Sequence, residues 1–462
     1  MSAIVEEMLF DELPVQIAPD KPFEMKPRLR IAERRQVELR AVTLDDLIPE
    51  DHRARFVWRF VAGLNLDAFL GQIKAVEGKP GHPPADPHIL VALWLFATIE
   101  GVTSSRELAQ LCIEHNAYRW LCGGVGMNAK TLADFRVGHG PVLETLLIDS
   151  FTALVEAGVA SLEEIAQDGV RVRASAGAAS FRRYSTLQEC REDVERTLRE
   201  LYDEKPDPDP EKRRRQAAQR RGAEDRELRV QDALQIAEKL QEEYQEKVRK
   251  AAEQAAKAAE DGKTNEDKPT KQEALKEPRV STTDADARVM KMADGGFRPA
   301  FNVQFASDTK SGAIAAVSVD NIGSDMGKMV PMSETLEDDY GQRPERHLAD
   351  GGYAKIKDID TLSRLGVETF VPVPKPKNAE RDRYVQQPGD APGVAAWRER
   401  MGTEDAKETY KKRAATAECS NAQARNRGMT QFVVRGLEKI KAAALWFALA
   451  HNMACTWRLV WA

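Results

Sequence analysis

The 462-residue chain is short of cysteine, of net positive charge and of long apolar runs. Each shortage excludes something. The five cysteines, Cys112, Cys122, Cys190, Cys419 and Cys455, are scattered and odd in number. They do not form a disulfide framework and fit thiols in a reducing compartment. Cys112-Ile-Glu-His115 with Cys122 matches no standard zinc spacing and reads as helix, so a metal site there is set aside. A net charge of -6 gives no global electrostatic case for a nucleic-acid partner; any such case rests on local patches. The most apolar stretch, Ala442 to Trp457, is interrupted by His451 and Asn452. It is too short and too polar for a membrane span and reads as a buried helix. The first residues, Met-Ser-Ala-Ile-Val-Glu-Glu, lack the basic region of a signal peptide, so a cytoplasmic protein is expected. Gly124-Val-Gly-Met-Asn-Ala-Lys-Thr131 misses the phosphate-binding pattern, because Ala129 stands where a glycine belongs. It reads as a turn between helices, and no nucleotide cofactor is expected. There is no tandem repeat.

What is present divides the chain. A hydrophobic share of 42% supports real cores, and the length implies two or three units. Residues 1–30 read as an irregular tail and 31–150 as a helical domain. An α/β core takes 151–185 and 279–462, and 186–278 form an inserted helical hairpin with a polar linker. Within the helical part, Ser104 or Ser105 caps a helix over Arg106–His115, and Asn128 or Thr131 opens another through Leu132–Arg136. Short helices separated by glycine-rich turns suit a helix-turn-helix DNA reader and equally a plain bundle. Residues 163–174 alternate into a strand ending near Asp168 or just after it. The insertion holds Pro206-Asp-Pro-Asp-Pro210, the run Arg213-Arg-Arg215, and Ala237, Tyr244, Ala251 and Ala258 spaced by sevens. That pattern predicts a hairpin or coiled coil joined at a proline turn, either a solvated protrusion or a grip on DNA or a second subunit. Gly262–Glu277 reads as polar and flexible. Strands are expected at 301–306, 313–319, 346–349 and 369–373, and helices at 326–340 and 355–365. A proline-rich loop runs from Pro372 to Pro392. A last helical region starts near Glu404 and breaks near Gly428.

Three carboxylates stand in distinctive settings. Asp168 lies in Glu164-Ile-Ala-Gln-Asp-Gly-Val-Arg-Val-Arg173, Asp350 in Arg346-His-Leu-Ala-Asp-Gly-Gly-Tyr353, and Glu418 on the late helix between Tyr410 and Arg425. Two aspartates at strand ends and a glutamate on a packed helix can hold two magnesium ions, which clamp both oxygens of an in-line phosphoryl displacement. Each has a plainer reading: a hairpin turn at Asp168-Gly169, a strand exit at Asp350, a solvated helix residue at Glu418. Arg425 shares a face with Glu418 two turns on and can fork onto a phosphate. Tyr410 and Arg413 lie one to two turns earlier. Arg427, Arg435, Lys439 and Lys441 make this end locally basic, suited to binding a DNA backbone. Trp58, Trp94, Trp120 and Trp446 read as core. Trp397 reads either as core or as a DNA contact, and His347 and His451 as structural.

These motifs resemble those of the DDE transposases of bacterial insertion sequences, specifically the eleven-eighty-two group of the broad four-like and five-like superfamily. The resemblance runs from about residue 27 to 457. It is carried by His82-Pro-Pro-Ala-Asp-Pro-His88 through Phe135-Arg136, by Asp168-Gly-Val-Arg-Val-Arg-Ala-Ser-Ala176, and by Ser281-Thr-Thr-Asp-Ala-Asp-Ala-Arg288 with Gly295-Gly-Phe-Arg-Pro-Ala-Phe-Asn-Val-Gln304. Ala349-Asp-Gly-Gly-Tyr353 and the set Tyr410, Arg413, Glu418 and Arg425 complete it. The last set departs twice: four residues, not three, separate Arg413 from Glu418, and Arg425 replaces a lysine. The resemblance implies an RNase H-like catalytic core, a mixed sheet with flanking helices, behind an all-helical DNA-binding domain. It implies metal-dependent cleavage and strand transfer, with Asp168, Asp350 and Glu418 holding two Mg2+ or Mn2+ ions. Tyr410, Arg413, Arg425 and Arg427 would contact DNA. Partners would be double-stranded DNA, as terminal inverted repeats and target, and a second copy in a synaptic homodimer beside the bacterial nucleoid. An inactive DNA-binding repressor or scaffold, or a nuclease without strand transfer, are the alternatives.

Overall fold

The computed structural model describes residues 43–75, 83–260, 276–376 and 381–458, with Arg35 and Ala41. The expected tail over 1–30, most of the linker Gly262–Glu277, His82 and the side chain of Ala258 lie outside the described residues. Every element below belongs to the unit that starts at Leu44.

The first elements are helical: α1 (Arg53–Ala62), α2 (Pro87–Ile99), α3 (Ser105–Glu114), α4 (Asn116–Cys122), α5 (Ala129–Gly138) and α6 (Gly140–Glu156). Their starts are set by side chains that satisfy otherwise orphaned N–H groups. Asp86 accepts from His88 N with Pro87 opening α2, Ser104 accepts from Glu107 N, and Asn128 from Thr131 N. α2 is buried all round from Ile89 to Ala97, as a helix at the centre of a core must be. Gly124–Thr131 spans the turn from α4 into α5. Of the expected core tryptophans, Trp94 and Trp446 are buried, whereas Trp58 and Trp120 are half-buried and meet edge to face. Trp120 keeps its N–H outward for Asp45.

The sheet is built from β1 (Glu164–Arg173), β2 (Arg288–Lys291), β3 (Phe297–Asp308), β4 (Ile314–Asp320), β5 (Arg346–Leu348) and β6 (Glu368–Phe370). Its order is β4–β3–β1–β5–β6, with β2 beside the start of β3. β3 runs antiparallel to β1, β2 and β4; β1, β5 and β6 run parallel. β1 does not end at Asp168. It continues to Arg173, with Asp168 opposite Phe305 and Gly169 opposite Gln304, so Asp168-Gly169 is not a hairpin turn. The glycine has another cause. A Cβ at Gly169 would meet Gln304 Nε2, Asp325 Oδ1 at 2.7 Å and Asn302 Oδ1 at 2.9 Å.

Helices cover both faces. On one, α6 and α9 (Met329–Tyr340) bring Phe151, Leu154, Met332 and Leu336 onto Ile165 and Ala306. Between β5 and β6 runs α10 (Ile356–Arg364). On the other face lie α11 (Pro392–Gly402), α12 (Glu404–Arg413) and α13 (Cys419–Asn426), where Trp397 and Ala417 pack on Ala166, Leu348 and Phe370. α11 begins where the loop was expected to end, because Pro392 fits the first turn of a helix. Trp397 is fully buried and donates to Val371 O at 3.0 Å, so it is core. The last helix, α14 (Leu437–Thr456), is buried through its apolar half. Among the described residues, no helix is long and apolar enough to cross a membrane. Asn452 on α14 holds Ile314 of β4 by two hydrogen bonds, 2.7 and 2.8 Å, as a strand neighbour would. α2, α5, α14 and the β1–β3 residues Val170, Val172, Phe301 and Val303 share one hydrophobic cluster. The helical part and the sheet therefore rest on a common core.

Between β1 and β2 the chain departs into α7 (Tyr184–Asp203) and α8 (Pro210–Glu260), with Phe181–Arg182 and Val280–Ser281 pairing at the point of exit and return. Leu187 meets Ala233 and Ala237; Val194 and Leu198 meet Val230. The two helices thus run antiparallel, turning at Pro206 and Pro208.

Two histidines are fully buried and neutral. His347 on β5 sits with Nε2 2.9 Å from Gln167 Oε1, and His451 with Nε2 2.9 Å from Gly312 O. Burial pulls both down to about 4 from the ordinary 6.5.

Gly169→Ala should destabilise the fold by about 1–3 kcal/mol in denaturant unfolding, since the added methyl must break an interlocked polar cluster. The histidines set a pH window. A group neutral when folded but protonated when unfolded contributes stability above pH 6.5 that drains as pH falls toward about 4. Unfolding midpoints measured across that interval should fall, and less steeply in His451→Gln.

Candidate active site

β5 pairs with β1 only as far as Leu348 opposite Ala166. Beyond that point β1 loses β5 as a neighbour, while staying paired with β3, and the two parallel strands part. Asp168 lies two residues past the last pair on β1, and Asp350 two residues past it on β5. Alternation therefore gives both aspartates the sheet face of Ala166 and Leu348, the face covered by α11 to α13. The Asp350 carboxylate caps the turn Gly351–Tyr353, accepting from Gly352 N at 2.7 Å.

The third carboxylate arrives through an irregular helix. Between α12 and α13, residues Ala414–Glu418 form a π-helical turn, which takes up one extra residue. This is the physical meaning of the four-residue gap between Arg413 and Glu418. The wider turn keeps the two on one face, with Arg413 Nη2 2.8 Å from Glu418 Oε1. The same guanidinium places Nη1 3.7 Å from Asp168 Oδ2, and Asn421 Nδ2 donates to that oxygen at 3.0 Å. Arg413 also lies over the Tyr410 ring, 5.6 Å from its centroid.

The charges are out of balance. Asp168 is raised to about 6, chiefly by burial, with the charges of Asp350 and Asp325 acting in the same direction. Gly169 N–H and Arg413 oppose them. Burial also raises the Tyr410 hydroxyl. Burial pulls the Arg413 guanidinium down, but Tyr410, Asp168 and Glu418 outweigh it and raise it.

The expected residues are placed unequally. Asp168, Asp350, Tyr410, Arg413 and Glu418 share one neighbourhood. The three carboxylates do not converge directly: the Glu418 side chain is 60% exposed and reaches Asp168 only through Arg413. Among the described residues, no three His, Cys, Asp or Glu side chains are grouped to hold one metal ion. Arg425 is exposed and pairs with no described residue. Arg427 is turned away into a crevice lined by Thr98, Val102, Met429 and Phe447, where burial lowers its pKa. Lys441 is neutralised by Glu144 at 2.6 Å.

Asp168 and Asp350 supply hard carboxylate oxygens of the kind a divalent cation takes. Asp168 and Asp350 are carboxylates that repel one another. Asn421, whose amide nitrogen holds Asp168, has a buried Oδ1 without a hydrogen-bond partner.

Sequence reasoning missed the polar layer on the reverse face of the sheet. His347 bonds Gln167, Gln167 Nε2 donates to Gln304 Oε1 at 3.0 Å, and the Tyr353 hydroxyl donates to the same oxygen. Gln304 Nε2, Asn302 Nδ2 and Arg171 Nη2 then converge on Asp325, at 2.8, 2.7 and 3.2 Å. Tyr353 belongs to the turn that Asp350 caps, so this layer ties the second aspartate's turn to the strands beside the first. Asn302 and Gln304, two apart in an apolar strand, were a readable signal. Asp325, in a loop, carried none.

Comparison with known families places these features. A family model described as Transposase domain (DUF772) matches residues 42–137, which span α1 to α5. A second, Transposase DDE domain, matches residues 380–457, which carry Tyr410, Arg413, Glu418 and Arg425 but neither aspartate. No curated protein and no solved structure matches the chain. Two transposase-domain matches on one chain, in this order, indicate a DDE transposase of an insertion sequence.

Proposed function

We propose that the protein cleaves DNA strands at the terminal inverted repeats of its element and joins the freed 3′ ends to target DNA. A sheet antiparallel on one side of β1 and parallel on the other, covered by helices on both faces, supports an RNase H-like core. The observation that carries the reading is the Arg413 guanidinium, which gathers Asp168 and Glu418 from 250 residues apart (418 − 168) beside the turn that holds Asp350. Asp168, Asp350 and Glu418 would hold two Mg2+ or Mn2+ ions. Such ions, when bound, activate the attacking water or 3′ hydroxyl and neutralise the leaving oxygen.

The other side chains orient and neutralise. Asn421 fixes the direction of the Asp168 carboxylate. Arg413, backed by the Tyr410 ring, is poised to exchange a carboxylate for a DNA phosphate, and Arg425 is free to fork onto another. Helices α3 to α5 are the candidate readers of the element ends. Two ends need two sites, which a homodimer supplies.

A DNA-binding relative without catalysis is the competing reading, favoured by the outward Glu418 side chain. One variant separates the two. Asp350→Asn should abolish metal-dependent nicking of end-containing DNA while leaving its binding to the inverted repeats intact in a mobility-shift assay. Cleavage by that variant at the wild-type rate rejects the assignment. Wild-type protein that binds the ends but never nicks them favours the inactive relative.

A further inference from the structure

The α7–α8 hairpin has no part in the site just described, yet its turn end is chemically unusual. Along α8, Arg213, Arg214, Arg215, Arg221 and Arg226 are all exposed, and none of their guanidiniums makes a hydrogen bond or ion pair among the described residues. The rest of the helix behaves differently. Arg229 pairs with Asp225, Lys247 with Glu243, Arg249 with Glu246, and Lys250 with Glu246. Three of the nearby acids are engaged: Asp209 accepts from Glu211 N, Glu224 takes the Tyr202 hydroxyl, and Asp207 pairs with Lys212. Arg220, on the inner side, donates to the carbonyls of Leu201 and Glu204 and ties the turn together. The unpaired guanidiniums are thus not a by-product of an evenly charged helix.

Their geometry is that of a strip. At 100° per residue, Arg214 and Arg221 fall on one face, and Arg215 and Arg226 on the neighbouring one. The strip from Arg214 to Arg226 is roughly 18 Å long at 1.5 Å per residue. The chain as a whole carries a net charge of -6. A concentration of uncompensated positive charge on such a chain calls for a polyanion, and guanidiniums suit phosphate oxygens.

We propose that the hairpin tip is a second DNA-binding surface. Arg214, Arg215, Arg221 and Arg226 contact the phosphate backbone of duplex DNA away from the catalytic carboxylates, without reading base sequence. The inference rests on the proposed function only in taking duplex DNA as the partner.

The test uses the full chain and a duplex of unrelated sequence, with affinity followed by fluorescence anisotropy over a range of KCl concentrations. Replacing the four arginines by glutamate should weaken binding and flatten the dependence of log affinity on log salt, by about 0.9 for each phosphate no longer neutralised. Arginine-to-lysine replacements should keep most of the slope. Lys247→Glu with Lys250→Glu, on the paired part of the helix, should leave it unchanged. Circular dichroism and unfolding midpoints verify that the helices persist. An unaltered slope in the folded four-fold variant overturns the proposal. So does a variant whose DNA binding is unaltered but whose dimer dissociates, because the strip would then be a subunit contact. If wild-type protein fails to nick element ends while the four-fold variant still loses its salt slope, the cleavage reading falls and this one stands.

Discussion

A single guanidinium, that of Arg413, lies between carboxylates delivered by a mid-chain strand and by a late helix. Without it, Asp168 would be a buried charge facing two other aspartates with only a backbone N–H and an amide to hold it. The local electrostatics are therefore poised rather than relaxed. Arg413, the cation paired with Asp168, is of the type of side chain that binds carboxylates and phosphates alike. The π turn at Ala414–Glu418 makes the arrangement possible by widening the helix for one more residue, so that Arg413 and Glu418 stay in register. Such turns are uncommon and concentrate at functional sites.

Behind this face stands a layer of amides, one tyrosine and one carboxylate. Through Tyr353 it ties the turn that Asp350 caps to the strands beside Asp168. Gly169 is the hinge of the two systems. Its neighbour Asp168 faces the cleft, and its own missing side chain leaves room for Asp325 and the amides behind. The Asp-Gly pair is thus one device, with a charge on one side of the sheet and a vacancy on the other.

Much of this was legible in the sequence, for reasons that can be named. Caps such as Ser104 and Asn128 are local chemistry, so helix starts were readable. Alternation in β3 and β4 and the charge-dense stretch after Pro210 likewise declare themselves. What stayed hidden depends on partners remote in sequence. The continuation of β1 past Asp168 depends on β3. The purpose of Gly169 depends on Asp325, in a loop more than a hundred residues later. The extra residue between Arg413 and Glu418 looked like a departure from a signature until the helix was seen to absorb it. Arg427 looked like its basic neighbours, and only the packing of α2 against α14 reveals that it faces inward.

The shared core has a consequence for how the molecule is made. α14 lies among the amino-terminal helices and, through Asn452, grips the start of β4. The helices near residue 90 leave the ribosome hundreds of residues before this partner exists. Until then their apolar surfaces lack a cover and the sheet lacks a suture. Order should arrive late and nearly at once, so a nascent chain has no finished amino-terminal half ahead of the rest.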